Sequence, residues 1–388
     1  MSELLTGEGY TYDPNSAPPA FGHSLRKFWA FDKGYVNLNH GSYGSQPLPV
    51  FAASTKLLLQ AERNPDQFHR RTYMLLLVES RRLVAELVGA KLDEVVLVPN
   101  ATHGLNTVLR NIEWREGDIL LGTSTTYGAI TKTLHYLGDR SEQPHPSVYS
   151  VTYTFPMTHQ QIIDAFRARV RELKQLHPQT QFTNLPGSPD DKGNRFVAVI
   201  DSIASNPGVL LPWKELVKVC VEEGIWSVLD AAHSVGQEPD INLRTGTQDQ
   251  VPYLSVKFAI DFRNWLGGEH KINAYCHDLA VKGGIRLADV LDTNILDESG
   301  ELTLNMTNVL LPLPVDIPGK SPVYTHENLP LMNIMLREKL LDDWNVYAAH
   351  YFHAGAWWVR ISDFEYLGKA LIEVCKEVKE KFFSEETV

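Results

Sequence analysis

Residues 196–237, FVAVIDSIASNPGVLLPWKELVKVCVEEGIWSVLDAAHSVGQ, decide the fold class. Phe196–Ile200 is a short, wholly apolar run, the pattern of a strand buried on both faces. Trp213–Glu223 reads as an amphipathic helix closed by Gly224, and Trp226–Leu229 is a second apolar run that ends on Asp230. Strand, helix and strand in this order predict a parallel pair joined by a crossover helix.

The same rhythm extends upstream. Val95–Val98 (VVLV) reads as a strand, followed by a helix through Leu105, Val108, Leu109 and Ile112. Ile119–Leu121 is a further strand and Tyr127–Leu137 a further helix. The expected fold class is therefore α/β, a mostly parallel sheet with helices on both faces and ligands at the carboxyl ends of its strands. Residues 50–90 carry a helical apolar period stopped by Gly89, and residues 177–195 (HPQTQFTNLPGSPDDKGNR) are a polar surface insertion. From Val251 to Asp289 the pattern is helical again. The last hundred residues mix strands at Met306–Leu311 and Trp357–Ile361 with a final helix, Tyr366–Phe382. The expected division is an N-terminal arm (1–35), a large domain (36–270) and a smaller C-terminal α+β domain (271–388).

A net charge of −11 and a pI near 5.7 argue against a nucleic-acid partner. Cys220, Cys276 and Cys375 are far apart, which fits a reducing compartment and excludes a CxxC zinc site. The opening MSELLTGEGYTYDP has no basic or apolar signal region, and no run approaches the ~18 apolar residues of a membrane span. A cytoplasmic protein without a membrane partner is the expectation.

Two stretches could carry chemistry. Asp230 stands at the carboxyl end of a buried strand with His233 three residues on, although the local pattern alone favours a helix cap. In VVLVPNATHGLNTVLRNI, the small and polar residues Asn100, Ala101 and Thr102 lie between a strand and a helix, where N–H groups and the helix dipole face an anion. The glycine pattern of a P-loop or dinucleotide fingerprint is missing.

Read in order, NLNHGSYG (37–44), PNATHGL (99–105), TTYGA (125–129), DSIASNPGVLLPW (201–213), DAAHSVGQ (230–237), RTGTQD (244–249) and WVRIS (358–362) resemble the class-V aminotransferase family. The chain looks most like isopenicillin-N-epimerase-like and hercynylcysteine-sulfoxide-lyase-like proteins, which are similar to cysteine desulfurases. The likeness runs from about residue 20 to 380 and implies the type I fold of pyridoxal-5'-phosphate (PLP) enzymes. It implies that Asp230 pairs with the pyridine nitrogen, His233 lies beside the ring and Tyr127 stacks on it. Ala101 and Thr102 would hold the phosphate, Asn206 would approach the ring hydroxyl, and Thr247 would reach the phosphate of a neighbouring subunit, so a homodimer is expected. Asn39 and His40 would line the substrate side, and Arg360 would clamp the carboxylate of an amino-acid substrate. Taken alone, His40 reads as a loop polar residue and Arg360 as a surface arginine. Ser202 departs from relatives that carry histidine there.

Members of that family place a cofactor-binding lysine in an HKW-like loop between the DAAH…GQ and GT-x-D motifs. Here PDINL (239–243) runs directly into RTGTQD. Part of the large sheet is thus expected to be missing, together with the amine that holds the cofactor. Lys257 lies 27 residues beyond Asp230, close to the family's spacing, and is the catalytic candidate on that count. Its neighbours Leu254, Phe258, Ile260 and Phe262 instead read as helix packing, which makes it a surface lysine.

The function expected is PLP chemistry on an amino acid: C–S lyase or desulfurase, epimerase or a related carbanion reaction, impaired here by the lost lysine. A non-catalytic PLP-fold remnant that binds a ligand or partner subunit is the alternative. A nucleotide binder rests only on the α/β rhythm.

Overall fold

The computed structural model describes residues 7–141, 144–182, 193–238, 251–316, 322–361 and 365–383. Contacts group Met1–Asn100 with Ser234–Asp278 in one compact unit, and Ala101–His233 with Leu279–Val388 in another.

The second unit is built on a four-stranded parallel sheet: β1 (Ile119–Thr123), β2 (Ser147–Val151), β3 (Phe196–Asp201) and β4 (Trp226–Asp230), in the order β2-β1-β3-β4. The side-chain period of two sorts its apolar residues onto two faces. Ile119, Leu121, Phe196, Ala198 and Ile200 pack against Ile162, Phe166, Val170 and Leu173 of helix His159–Leu176 and against Leu216, Val219 and Cys220 of helix Trp213–Glu223. The alternate residues Leu120, Val197 and Val199 pack against Leu105 and Leu109 of helix Ala101–Arg110 and Ile130, Leu134 and Leu137 of helix Gly128–Gly138. Each fully buried side chain of this kind contributes about 1.5–3 kcal/mol relative to exposure. Both faces are covered, so β3 carries no polar residue before its last position, Asp201.

Gly224 ends its helix in the left-handed conformation (φ 68°), and Ile225 N–H donates to Cys220 O at 2.8 Å. That closure turns the chain into β4. The rest of this unit carries an antiparallel sheet of β5 (Thr307–Leu310), β6 (Ala349–His353) and β7 (Ala356–Ile361), with β7 central. Asn308 and Ala349 flank Arg360 in the register.

In the first unit, helices Leu48–Arg63, Tyr73–Leu87 and Val256–Trp265 pack together. The N-terminal arm lies on the last of these: Tyr12 and Phe28 meet Phe262 and Trp265 edge-on or tilted, and Trp265 Nε1 donates to Ser16 O. Gly89 takes the positive φ (67°) that ends helix Tyr73–Leu87.

The expected strand Val95–Val98 is a correction. Only Val95 makes a bridge, and it is buried with Ala85 and Val88. Val95 serves as an anchor under a helix end, a role that a residue of a short apolar run can fill without a strand. Among the described residues no helix is long and apolar enough to cross a membrane.

Candidate active site

The carboxyl ends of β1, β3 and β4 converge, as the doubly wound arrangement requires. Asp201 and Asp230 end adjacent strands in direct register. Both are buried, at 4% and 5% exposure. Asp230 Oδ1 accepts from Ala232 N–H at 3.1 Å, the one hydrogen bond made by this carboxyl group among the described residues. Burial raises the Asp230 carboxyl above its ordinary range, against the lowering effect of that bond. Asp201 is pushed up to about 7, by burial first and then by the negative charge of Asp230, while bonds from Thr125 and Thr123 oppose the shift.

Thr125 Oγ1 donates to Asp201 Oδ2 at 3.1 Å and lies 2.8 Å from Thr123 Oγ1. Thr126 Oγ1 caps this turn by accepting from Thr123 N–H. The turn delivers Tyr127, half exposed at the start of helix Gly128–Gly138. Helix Ala101–Arg110 begins with half-buried Ala101 and Thr102, and Ala101 packs in the same apolar cluster as Val228 of β4. A ten-residue helix starting there has the positive end of its dipole at this point, which suits an anion.

Arg360 is not the surface arginine that its sequence context suggests. It is 4% exposed, and Nη1 donates to Ser205 O at 2.6 Å. Burial holds the guanidinium below its ordinary value, yet an arginine remains charged in this range. His233 is half buried and pushed down to about 4, by burial first and then by the charge of Arg360, so it is neutral at pH 7.

Asn308, outside the sequence motifs, completes this corner. Asn308 accepts from Gly208 N–H (3.0 Å) and from Tyr351 Oη (2.7 Å), and donates to Gly208 O (2.9 Å). It thereby fixes the loop Ser205–Gly208 that receives Arg360. Asn206 is exposed on that loop. The repeated signature of an apolar strand ending in aspartate, FVAVID and WSVLD, is the signal that singles out Asp201. Nothing local in the sequence marks Asn308.

The remaining candidates belong to the first unit or fall outside the described residues. Asn39 and His40 belong to the first unit, in a tight turn where Ser42 Oγ donates to Asn39 Oδ1 and His40 Nδ1 lies 3.4 Å from Asn37 Nδ2. A cavity of about 590 Å³ in that unit is lined by His40, Trp29, Phe262, Arg263, Tyr275 and Cys276. Lys257, also in the first unit, donates from Nζ to Asp261 one turn along its helix at 3.0 Å, with its side chain 45% exposed. Thr247 and the PDINL–RTGTQD junction lie outside the described residues.

The residues present fit PLP. A buried carboxyl group with a free oxygen suits a protonated ring nitrogen, the helix terminus suits a phosphate, and buried Arg360 suits a substrate carboxylate.

No family model matches the chain. It is 34% identical to a putative L-cysteine desulfhydrase of Oryza sativa subsp. japonica, over 83% of this chain and 75% of that protein. Identity is 27% to the L-cysteine desulfhydrase-like protein lolT1 of Epichloe uncinata (94% and 98% covered) and 25% to a hercynylcysteine sulfoxide lyase of Schizosaccharomyces pombe (92% and 98%). The 466 positions aligned with lolT1 take up 94% of a 388-residue chain, so about 100 of them face no residue here. Among solved structures, a C-DES mutant with glycine covalently linked to its PLP cofactor superposes with a TM-score of 0.66 at 13% identity, covering 90% of this chain and 98% of that one. An apo cysteine desulfurase from Thermococcus onnurineus does so at 0.60 and 15%, covering 95% and 99%. These superpositions establish the type I PLP-enzyme fold.

Proposed function

Because the chain belongs to the L-cysteine desulfhydrase family of class-V aminotransferase-like PLP enzymes, we propose that its second unit holds PLP and takes cysteine or a cysteine-like amino acid for C–S bond cleavage. The observation that carries this reading is the buried Asp230 carboxyl, with one oxygen unengaged, at the sheet end that also presents Thr125, Asp201 and the start of helix Ala101–Arg110. When bound, PLP supplies an electron sink for charge developing at the substrate Cα.

The chain's own residues have separable tasks. Asp230 holds the negative charge opposite the ring nitrogen, and Ala101 and Thr102 receive the phosphate at the helix terminus. Tyr127 covers one ring face, and Asn206 reaches the ring hydroxyl. Arg360, fixed by Ser205 O, binds the substrate carboxylate by a two-pronged contact and orients Cα. His233 lies beside the ring and is neutral at pH 7. Thr247 of a second copy completes the phosphate site, making the working form a cytoplasmic homodimer.

Lys257 pairs with Asp261 on its own helix in a half-exposed contact, and we take the cofactor to be held without a covalent link to it, with slow turnover as the consequence. Borohydride reduction of the PLP-treated chain, followed by peptide mapping, tests this. The expected result is bound PLP with no pyridoxyl label on Lys257. A stoichiometric label on Lys257 with rapid sulfide release from cysteine would overturn the impaired reading. Saturable PLP binding with no sulfide release would favour the alternative, a binding remnant.

A further inference from the structure

We propose that Asp201 is a positioning residue that holds a proton against Asp230, so that the buried pair carries a single negative charge and Asp230 bears it. This rests on the assignment of Asp230 to the cofactor ring nitrogen.

The geometry leaves little choice. Parallel pairing sets Asp201 and Asp230 side by side at the ends of β3 and β4, and each is at least 95% buried. Two carboxylates so placed repel in a medium where water screens poorly, and a shared proton removes the repulsion. Among the described residues, the groups facing Asp201 supply no positive charge. They are Asp230 from β4, Thr123 and Thr125 from the end of β1, and Tyr153 beyond β2, with Cys220 behind it. The Tyr153 hydroxyl is itself buried without a hydrogen-bond partner.

The two aspartates differ in what stabilises their charge. Asp230 accepts a backbone N–H and keeps an oxygen free for a cation. Asp201 accepts from the Thr125 hydroxyl, which favours its charge, but burial and the adjacent Asp230 charge outweigh that bond. Its elevation to about 7 agrees with that division. A cationic ring nitrogen against Asp230 would then meet a pair that carries a single negative charge.

The test is infrared spectroscopy of the purified chain without PLP, titrated across the carboxyl region. The wild type should show a protonated-carboxyl band that persists at about pH 6 and is lost by about pH 8. Asp201→Asn should abolish the band, and Asp230→Asn should retain it with a lower midpoint. Thr125→Val, which deletes only the donated hydroxyl, should move the midpoint upward, a response that a purely structural role for Asp201 would not give. No such band in the wild type, a band surviving in Asp201→Asn, or a midpoint indifferent to Thr125→Val would overturn the proposal. With PLP added, Asp201→Asn should keep the dissociation constant within about threefold, whereas Asp230→Asn should raise it about tenfold or more. A wild type that binds no PLP contradicts the cofactor assignment, and with it the cofactor role of the aspartate pair. The infrared titration separately decides where the proton sits.

Discussion

A methyl group on Gly208 would come within 2.5 Å of Cδ of Arg360 and 3.0 Å of its Cγ. The arginine stem occupies the space a side chain would fill, and its head is held by Ser205 O three residues earlier in the same loop. Gly208→Ala must therefore displace either the loop or the Arg360 side chain. Overpacking of this kind costs about 1–3 kcal/mol. Urea denaturation should show that loss, and carboxylate-ligand binding should weaken with it. A variant as stable as wild type with unchanged binding would show that the loop yields freely.

Much of the second unit follows from the sequence because its signals are local. The runs FVAVI and WSVL, the helix between them and the Gly224 stop all reappear at their expected positions, since an apolar run bounded by turn residues has few alternatives in a covered sheet. VVLV misleads because four apolar residues can equally anchor a helix end. Strand Ser147–Val151 reads weakly because it is the outer strand of the described sheet, half exposed and interrupted by Ser150. The site is legible where a motif sits at a strand end, as with Asp230. It is illegible where contacts cross a hundred residues, as with Asn308 and Gly208, because tertiary pairing leaves no trace in either neighbourhood.

Asn308→Ala should be more damaging than its size suggests. It leaves Gly208 N–H and C=O and the Tyr351 hydroxyl without their buried partner. Each buried group stripped of its bond costs about 1–3 kcal/mol. Thermal or urea unfolding should register a loss at the upper end of single-mutant effects, and a loss below about 1 kcal/mol would show that water replaces the amide.

Arg360→Lys keeps the charge but removes the planar fork. The expected outcome is a roughly 10–100-fold rise in the dissociation constant for amino-acid ligands of the PLP-loaded protein, with PLP affinity nearly unchanged. Equal losses of PLP and amino-acid binding would instead mark Arg360 as part of the cofactor site.

His233 gives the pH dependence a definite sign. Its folded-state value is pushed down to about 4, so the unfolded chain binds the proton more readily between there and the ordinary histidine value. The contribution of His233 is present above about pH 6.5 and is lost as pH falls toward 4. Asp201 acts in the opposite sense: its value is raised to about 7, so its contribution is present at low pH and is lost as pH rises from about 4 to 7. Urea midpoints at about pH 5 and 7.5 should therefore show His233→Gln losing less on acidification than wild type. Identical acid limbs in the two proteins would place the imidazole in water.

The most direct test of the cofactor assignment is a PLP titration of wild type and Asp230→Asn, followed by cofactor absorbance at neutral pH. A buried aspartate serving the ring nitrogen predicts saturable binding to wild type, at least about tenfold weakened by the substitution, with an altered absorbance spectrum. Equal affinity and identical spectra in both proteins would contradict it, and would move the cofactor away from the ends of β3 and β4.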